Sequence, residues 1–178
     1  AARLDIDAYI DFATAAWRRR PAHDVLAMRQ RFMGDVMQPV LDERALALVR
    51  RHQAAGDRVA IVTATNEFIT RPIADAFGVA ELIAVELMRD GDGRYTGAVR
   101  GVPSFREGKI VRVEQWLAMR GHRHADFDRV TVYSDSTNDL PLLEWATHPV
   151  ATNASPELAA IAHERGWPLL NLFQEEST

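Results

Sequence analysis

The sequence predicts an α/β fold, a parallel β-sheet flanked by helices that takes ligands at the carboxyl ends of its strands. Three observations carry that expectation. Short runs rich in β-branched residues alternate with helical patterns from about residue 42 to residue 173. Gly56, Gly78 and Pro156 stand where helices should stop or start. Hydroxyl and carboxylate residues fall just beyond strand-like runs, at Thr63 and at Asp135.

The first forty residues carry helical signals and no strand signals. Ile6, Tyr9, Ile10, Ala13 and Trp17 recur at helical spacing and predict a helix over 5–20, with Asp5 placed to cap it. Val25, Met28, Phe32, Val36 and Met37 predict a second helix over 23–37, ended by Pro39. Trp17, Phe32 and Met33 are expected in helix packing. A third helix over 42–55 leads through Gly56 into a strand over 58–63, and a helix over 66–77 closes at Gly78.

Residues 82–87 and 94–99 flank Asp90-Gly-Asp-Gly93, a turn sequence that predicts a β-hairpin between them. Helices are expected over 109–119 and 140–146, and strands over 130–133, 149–151 and 168–170. Ser155-Pro156 opens a last helix running to Arg165.

Composition bounds the function. The chain has 178 residues, 47% of them hydrophobic and 26% charged, enough for a real core in a globular protein. A formal net charge of -4 gives no nucleic-acid-binding surface. Arg18-Arg19-Arg20 precedes Pro21 and reads as a solvated helix end, its charge favourable to the helix dipole. The absence of cysteine excludes disulfides, thiolate catalysis and cysteine-based zinc sites. No apolar run reaches membrane-span length, and the expected location is the cytoplasm. His122-x-His124 lies in a polar loop and is read as solvated. Oligomeric state is not legible.

Three positions share one topological place, a strand end or the helix start beside it. Thr63 opens Thr63-Ala64-Thr65-Asn66, where a hydroxyl and the free N–H groups of a turn can hold a phosphate oxygen. A helix cap without ligand would use the same residues. Lys109 opens a helix, where its charge opposes the dipole, so it needs an anion nearby or solvent. Asp135-x-x-Asn138-Asp139 follows a Val-rich strand and suits a hard cation together with an anionic substrate.

Taken in order, Thr63, Lys109 and Asp135-x-x-Asn138-Asp139 resemble the second, third and fourth motifs of the haloacid dehalogenase-like hydrolase superfamily. The hairpin Asp90-Gly-Asp-Gly-Arg-Tyr-Thr-Gly97, Glu107-Gly-Lys109 and Pro149-Val-Ala-Thr-Asn153 fit the same pattern, most closely that of the phosphoserine-phosphatase-like branch, subfamily IB. The resemblance implies a Rossmann-like parallel sheet with a β-hairpin flap. It makes 1–40 part of a small helical cap and 41–178 the core.

It also implies a Mg²⁺-dependent phosphomonoester hydrolase that works through a phosphoaspartate. Mg²⁺ would be held by Asp135 and Asp139. Thr63, Ala64, Thr65, Asn66 and Asn138 would hold the phosphate, and Lys109 would neutralise developing charge. The nucleophile belongs to an Asp-x-Asp-x-Thr segment that this sequence does not contain. Leu4-Asp5-Ile6-Asp7 is no substitute, because it lacks a preceding hydrophobic strand and the following Thr. The core's first strand is therefore expected to be absent, and the chain as it stands to be inactive.

The partner implied is a small phosphorylated metabolite. Where phosphoserine-cleaving relatives carry arginines in the cap, this chain has residues near Asp11 to Ala13. An acid there disfavours the carboxylate of phosphoserine and suits a cationic amine, so an amine-bearing phosphate such as histidinol phosphate is expected. Phosphoserine hydrolysis and a non-catalytic phosphometabolite-binding protein are the alternatives. A receiver domain is excluded by motif order, since its phosphoacceptor Asp precedes the Thr and Lys. A dinucleotide-binding fold is excluded by glycine spacing.

Overall fold

A computed structural model describes residues 6–173, so the expected cap at Asp5 lies outside the described residues. The chain divides into two compact units, one ending at Ser104 and one beginning at Phe105.

The first unit opens with α1 (Ile6–Arg18) and α2 (Ala22–Phe32). Pro21 caps α2 in an extended conformation that also ends the preceding chain. The second helix is shorter than 23–37. After Phe32 the backbone loosens into a π turn, Met33–Met37, and then tightens into a 3₁₀ turn, Gln38–Val40. Pro39 has no N–H to continue the ladder, and Gly34 adds little helical preference.

α3 (Glu43–Ala54) starts at Asp42, whose carboxylate accepts from the Arg44 backbone N–H at 2.8 Å. Hydrogen bonds from Arg44 hold the Asp42 carboxyl down at a pKa of about 2. β1 (Ala60–Asn66) and β2 (Glu81–Val85) pair in parallel, with α4 (Glu67–Ala76) as the crossover. β3 (Leu87–Arg89) and β4 (Tyr95–Val99) form the antiparallel hairpin.

The run 82–87 therefore does not serve as one hairpin arm. It divides at Glu86: Ile83, Ala84 and Val85 are buried in succession, as in a parallel strand covered on both faces. After Leu87 the chain is exposed, and along β4 burial alternates, as a half-exposed hairpin requires. The predicted turn is correctly placed. Asp90 Oδ1 accepts from the N–H groups of Asp92 and Arg94, at 3.0 and 2.9 Å, and Gly93 takes the positive φ of 77°.

The core of this unit joins α1 and α2 to α4 and the strands, through Ile10, Trp17, Val25, Phe68, Val85 and Leu87. Trp17, Phe68 and Tyr95 lie with ring centroids 5.1 to 5.4 Å apart. Each such pair contributes about 0.5–1.5 kcal/mol beyond its buried area. Trp17 is thus a packing residue, as its spacing predicts.

The second unit contains α5 (Glu107–Ala118), β5 (Thr131–Ser134), α6 (Leu140–Trp145), β6 (His148–Thr152), α7 (Pro156–Arg165) and β7 (Leu169–Leu170). Its three strands are parallel in the order β5-β6-β7. Leu143, Ala151, Leu158 and Ala162 form the core between strand and helices. Ser155 caps α7 by accepting from the Leu158 N–H at 3.2 Å, and Gly166 ends it at φ 66°. Parallel strands flanked by helices establish the α/β class.

Candidate active site

In the first unit, the predicted residues Thr63, Ala64, Thr65 and Asn66 all lie on the last part of β1. The strand continues three residues past Thr63, but its regular pairing with β2 ends at Val62 and resumes at Asn66. That break turns the segment out of the ladder. Thr63 Oγ1 accepts from the Thr65 N–H at 3.1 Å within this irregular stretch of the strand. Asn66 is buried and caps α4, its Oδ1 accepting from Ile69 N–H at 3.2 Å. Asn66 thus spends its side chain on the helix cap.

In the second unit, Lys109 lies in the first turn of α5 and is only 5% exposed. Its Nζ meets Asp139 Oδ1 at 2.5 Å. The anion that offsets its unfavourable place at the helix start is therefore this carboxylate. Asp139 Oδ2 accepts from Ser134 Oγ at 2.8 Å, and Ser134 Oγ accepts from the Ser136 N–H at 3.2 Å. Both carboxylate oxygens of Asp139 are thus held by protein groups.

The strand-to-helix turn is built by serines. Ser136 Oγ accepts from Asn138 N–H at 3.2 Å and starts the short 3₁₀ turn Thr137–Asp139. Asp135, the first residue past β5, is exposed. Its backbone carbonyl accepts from Ser155 N–H at 3.0 Å, so the main chain is fixed while the carboxylate stays open. Asn138 is exposed as well, and its Oδ1 accepts from Arg106 at 3.5 Å.

Sequence reading missed Ser134, Ser136 and Arg106. The spacing Ser136-x-x-Asp139 is a helix-start signature that could have found the second. Nothing in the sequence alone singles out a Ser that ends a strand or an Arg three residues before Lys109.

A hard cation such as Mg²⁺ commonly keeps several waters and uses one or two carboxylates beside a substrate phosphate. Asp135 fits that donor role, being a carboxylate open to solvent at a strand end. Among the described residues no group of three His, Cys, Asp or Glu side chains is arranged to hold a metal. Asp135 would then be one donor among others.

Asp11, expected to meet a substrate amine, is exposed on α1 and pairs with Arg18 at 2.5 Å. The first unit also has a cavity of about 440 Å³ whose wall includes Trp17, Arg29, Glu67, Phe68, Arg71 and Tyr95. Arg29 lies over the Phe68 ring at 4.5 Å and donates to the Phe68 carbonyl at 3.1 Å. Glu67 directly follows Asn66 and brings a half-buried carboxylate to that wall.

Lys109 stands at a helix start and Asp135 just past a strand end, Thr63 lies where β1 loses its regular pairing, and the Lys109–Asp139 pair lies beside an open carboxylate. The chain belongs to the haloacid dehalogenase-like hydrolases, whose family profile matches residues 1–144. Several of its relatives in that family are named as phosphatases. The chain is 42% identical over 168 residues to the histidinol-phosphatase of Neisseria meningitidis serogroup C, covering 94% of this chain and 76% of that protein. It is 28% identical over 154 residues to a phosphoserine phosphatase of Idiomarina loihiensis, covering 86% of this chain and 67% of the other. A solved structure of a protein of unknown function from Bordetella pertussis Tohama I superposes with a TM-score of 0.92 at 49% identity. That match covers 96% of this chain and 76% of the Bordetella chain. The protein is a phosphatase of the haloacid dehalogenase-like class, in the phosphoserine-phosphatase-like branch.

Proposed function

We propose that this protein hydrolyses the phosphomonoester of a small amine-bearing metabolite, with histidinol phosphate the favoured substrate, in a Mg²⁺-dependent reaction through a phosphoaspartate. The observation that carries the reading is the buried Lys109–Asp139 pair, 2.5 Å apart, next to the open carboxylate of Asp135. A cation fixed this way is placed before substrate arrives and costs no reorganisation when charge develops on the phosphoryl group. The 42% identity to a histidinol-phosphatase, against 28% to a phosphoserine phosphatase, supports the choice of substrate.

In this reading Thr63 donates its hydroxyl to a phosphoryl oxygen, helped by the backbone N–H of Ala64, while the Thr65 N–H stays on Thr63 Oγ1 and orients the hydroxyl. In the second unit Lys109 has N–H donors left to offer an anion, and Asp139 keeps Lys109 aimed. Asp135 would hold Mg²⁺, which when bound would screen the phosphate charge. Asp139 could join it as a ligand through a remaining lone pair, but Lys109 and Ser134 already draw on its two oxygens, so Asp135 is assigned the main part. Asp11 already carries Arg18 on Oδ1, which offsets its charge toward a substrate amine although Oδ2 stays open. Glu67, on the cavity wall and without an ion pair among the described residues, is the better acceptor. The nucleophilic aspartate belongs to the Asp-x-Asp-x-Thr segment, which is not in this sequence.

The test is phosphate release from histidinol phosphate by the intact protein across a magnesium titration. Removal of divalent cation should abolish turnover, and Asp135→Asn should raise the magnesium needed for half-maximal rate by about tenfold or more. Turnover indifferent to chelator would refute the magnesium requirement, and an unchanged titration in Asp135→Asn would remove Asp135 from that role.

A further inference from the structure

Arg106 is held in a backbone conformation that an arginine adopts only at a cost. Its φ is 49° and its ψ -124°, a region in which glycine is at home. Only Arg106 and Asn153 among the described non-glycine residues have positive φ, and Asn tolerates that sign far better. The arginine gains no helix-capping bond in return, since its side chain accepts nothing from α5. Such backbone strain persists only where surrounding structure or function holds it.

The side chain shows what the position is used for. Its guanidinium lies 5.3 Å from the Phe105 ring centroid, and one terminal N–H group reaches Asn138 Oδ1 at 3.5 Å. Its Nε is buried and has no hydrogen-bond partner among the described residues. A buried unpaired donor on a cation is costly unless something else satisfies it. The Arg106 carbonyl accepts from the Lys109 N–H at 3.0 Å, so the strained residue also starts the turn that carries Lys109. Arg106 therefore leans on Asn138 from one side of a helix start while Lys109 leans on Asp139, the next residue.

We propose that Arg106 is a second cation of the phosphoryl site, which donates to a substrate phosphate oxygen and holds Asn138 in place for the same anion. This rests on the hydrolase reading above and adds a binding residue to it. The left-handed backbone turns the guanidinium toward Asn138 rather than along the α5 surface. A guanidinium presents several donors in one plane and suits a phosphate better than an ammonium does.

The position permits a test that separates function from fold. Arg106→Gly relieves the backbone strain, so its melting temperature should match or exceed that of the parent. The same variant should bind inorganic phosphate at least tenfold more weakly by titration calorimetry in magnesium buffer, with kcat/KM reduced in proportion. Arg106→Lys should recover only part of the affinity. Unchanged phosphate affinity in Arg106→Gly would overturn the proposal. So would a fall in melting temperature, which would make Arg106 a structural cap. Phosphate binding is read without turnover, so a parent protein that binds phosphate but cleaves no ester would count against the hydrolase reading and leave Arg106 judged on its own.

Discussion

The turn at Thr63 and the pair at Lys109 are built in opposite ways. The first is held by contacts between near neighbours: Thr63 with Thr65, Asn66 with Ile69, and Thr70 with the Asn66 carbonyl. The second joins residues thirty positions apart in a buried ion pair, reinforced by Ser134. The local turn is a frame of backbone donors with little charge of its own. The long-range pair stores charge in a site where water is nearly excluded, so its loss should be felt much more strongly.

The largest effect should come from breaking the charged half. Lys109→Met leaves the partly buried Asp139 carboxylate without its cation and should cost about 1–3 kcal/mol of stability. Adding Asp139→Asn removes the stranded charge and should restore most of it, while turnover stays down about 10²–10³-fold. Melting temperature and kcat measured on both variants check this. If the double variant recovered activity together with stability, the pair would be structural only.

The local half should be more forgiving. Thr63→Ala removes one hydroxyl and should lower kcat/KM by about 10–100-fold, the worth of one hydrogen bond to a charged group. Its melting temperature should change little, because Asn66 still caps α4. A large stability loss would show that the turn depends on Thr63 more than the geometry indicates.

The smallest effect sharpens the contrast by using a carboxylate at an exposed helix cap. Asp42 has its pKa lowered to about 2 by hydrogen bonds from Arg44. An acid whose folded pKa is depressed stabilises above its unfolded value near 3.9 and loses that contribution as pH falls through its folded value. Parent and Asp42→Ala should therefore differ most in melting temperature above about pH 4 and converge toward about pH 2. A difference that stayed constant with pH would mean that the cap acts through something other than its charge.

The same contrast explains what could be read from sequence. Thr63 and Asp135 were legible because a β-branched run followed by hydroxyl or acid residues marks a strand end. The turn at Asp90 was legible because Asp and Gly at fixed offsets dictate it. The hairpin boundary was not: residues 82–87 are uniformly apolar apart from Glu86, and only burial on both faces shows that the first part joins β1. The second helix was overextended because apolar spacing continues through Met37 while the backbone has already left the α form. The partners of Lys109 and Asp139 depend on folding distant segments together, and Arg106 is betrayed only by its backbone angles.

The most direct measurement is the ratio of kcat/KM for histidinol phosphate and L-phosphoserine, determined on the intact protein in magnesium buffer. An amine-recognising phosphatase should favour histidinol phosphate by at least tenfold. Faster turnover of phosphoserine would contradict the assigned substrate, and hydrolysis of neither by an intact, folded protein would contradict the account at its centre.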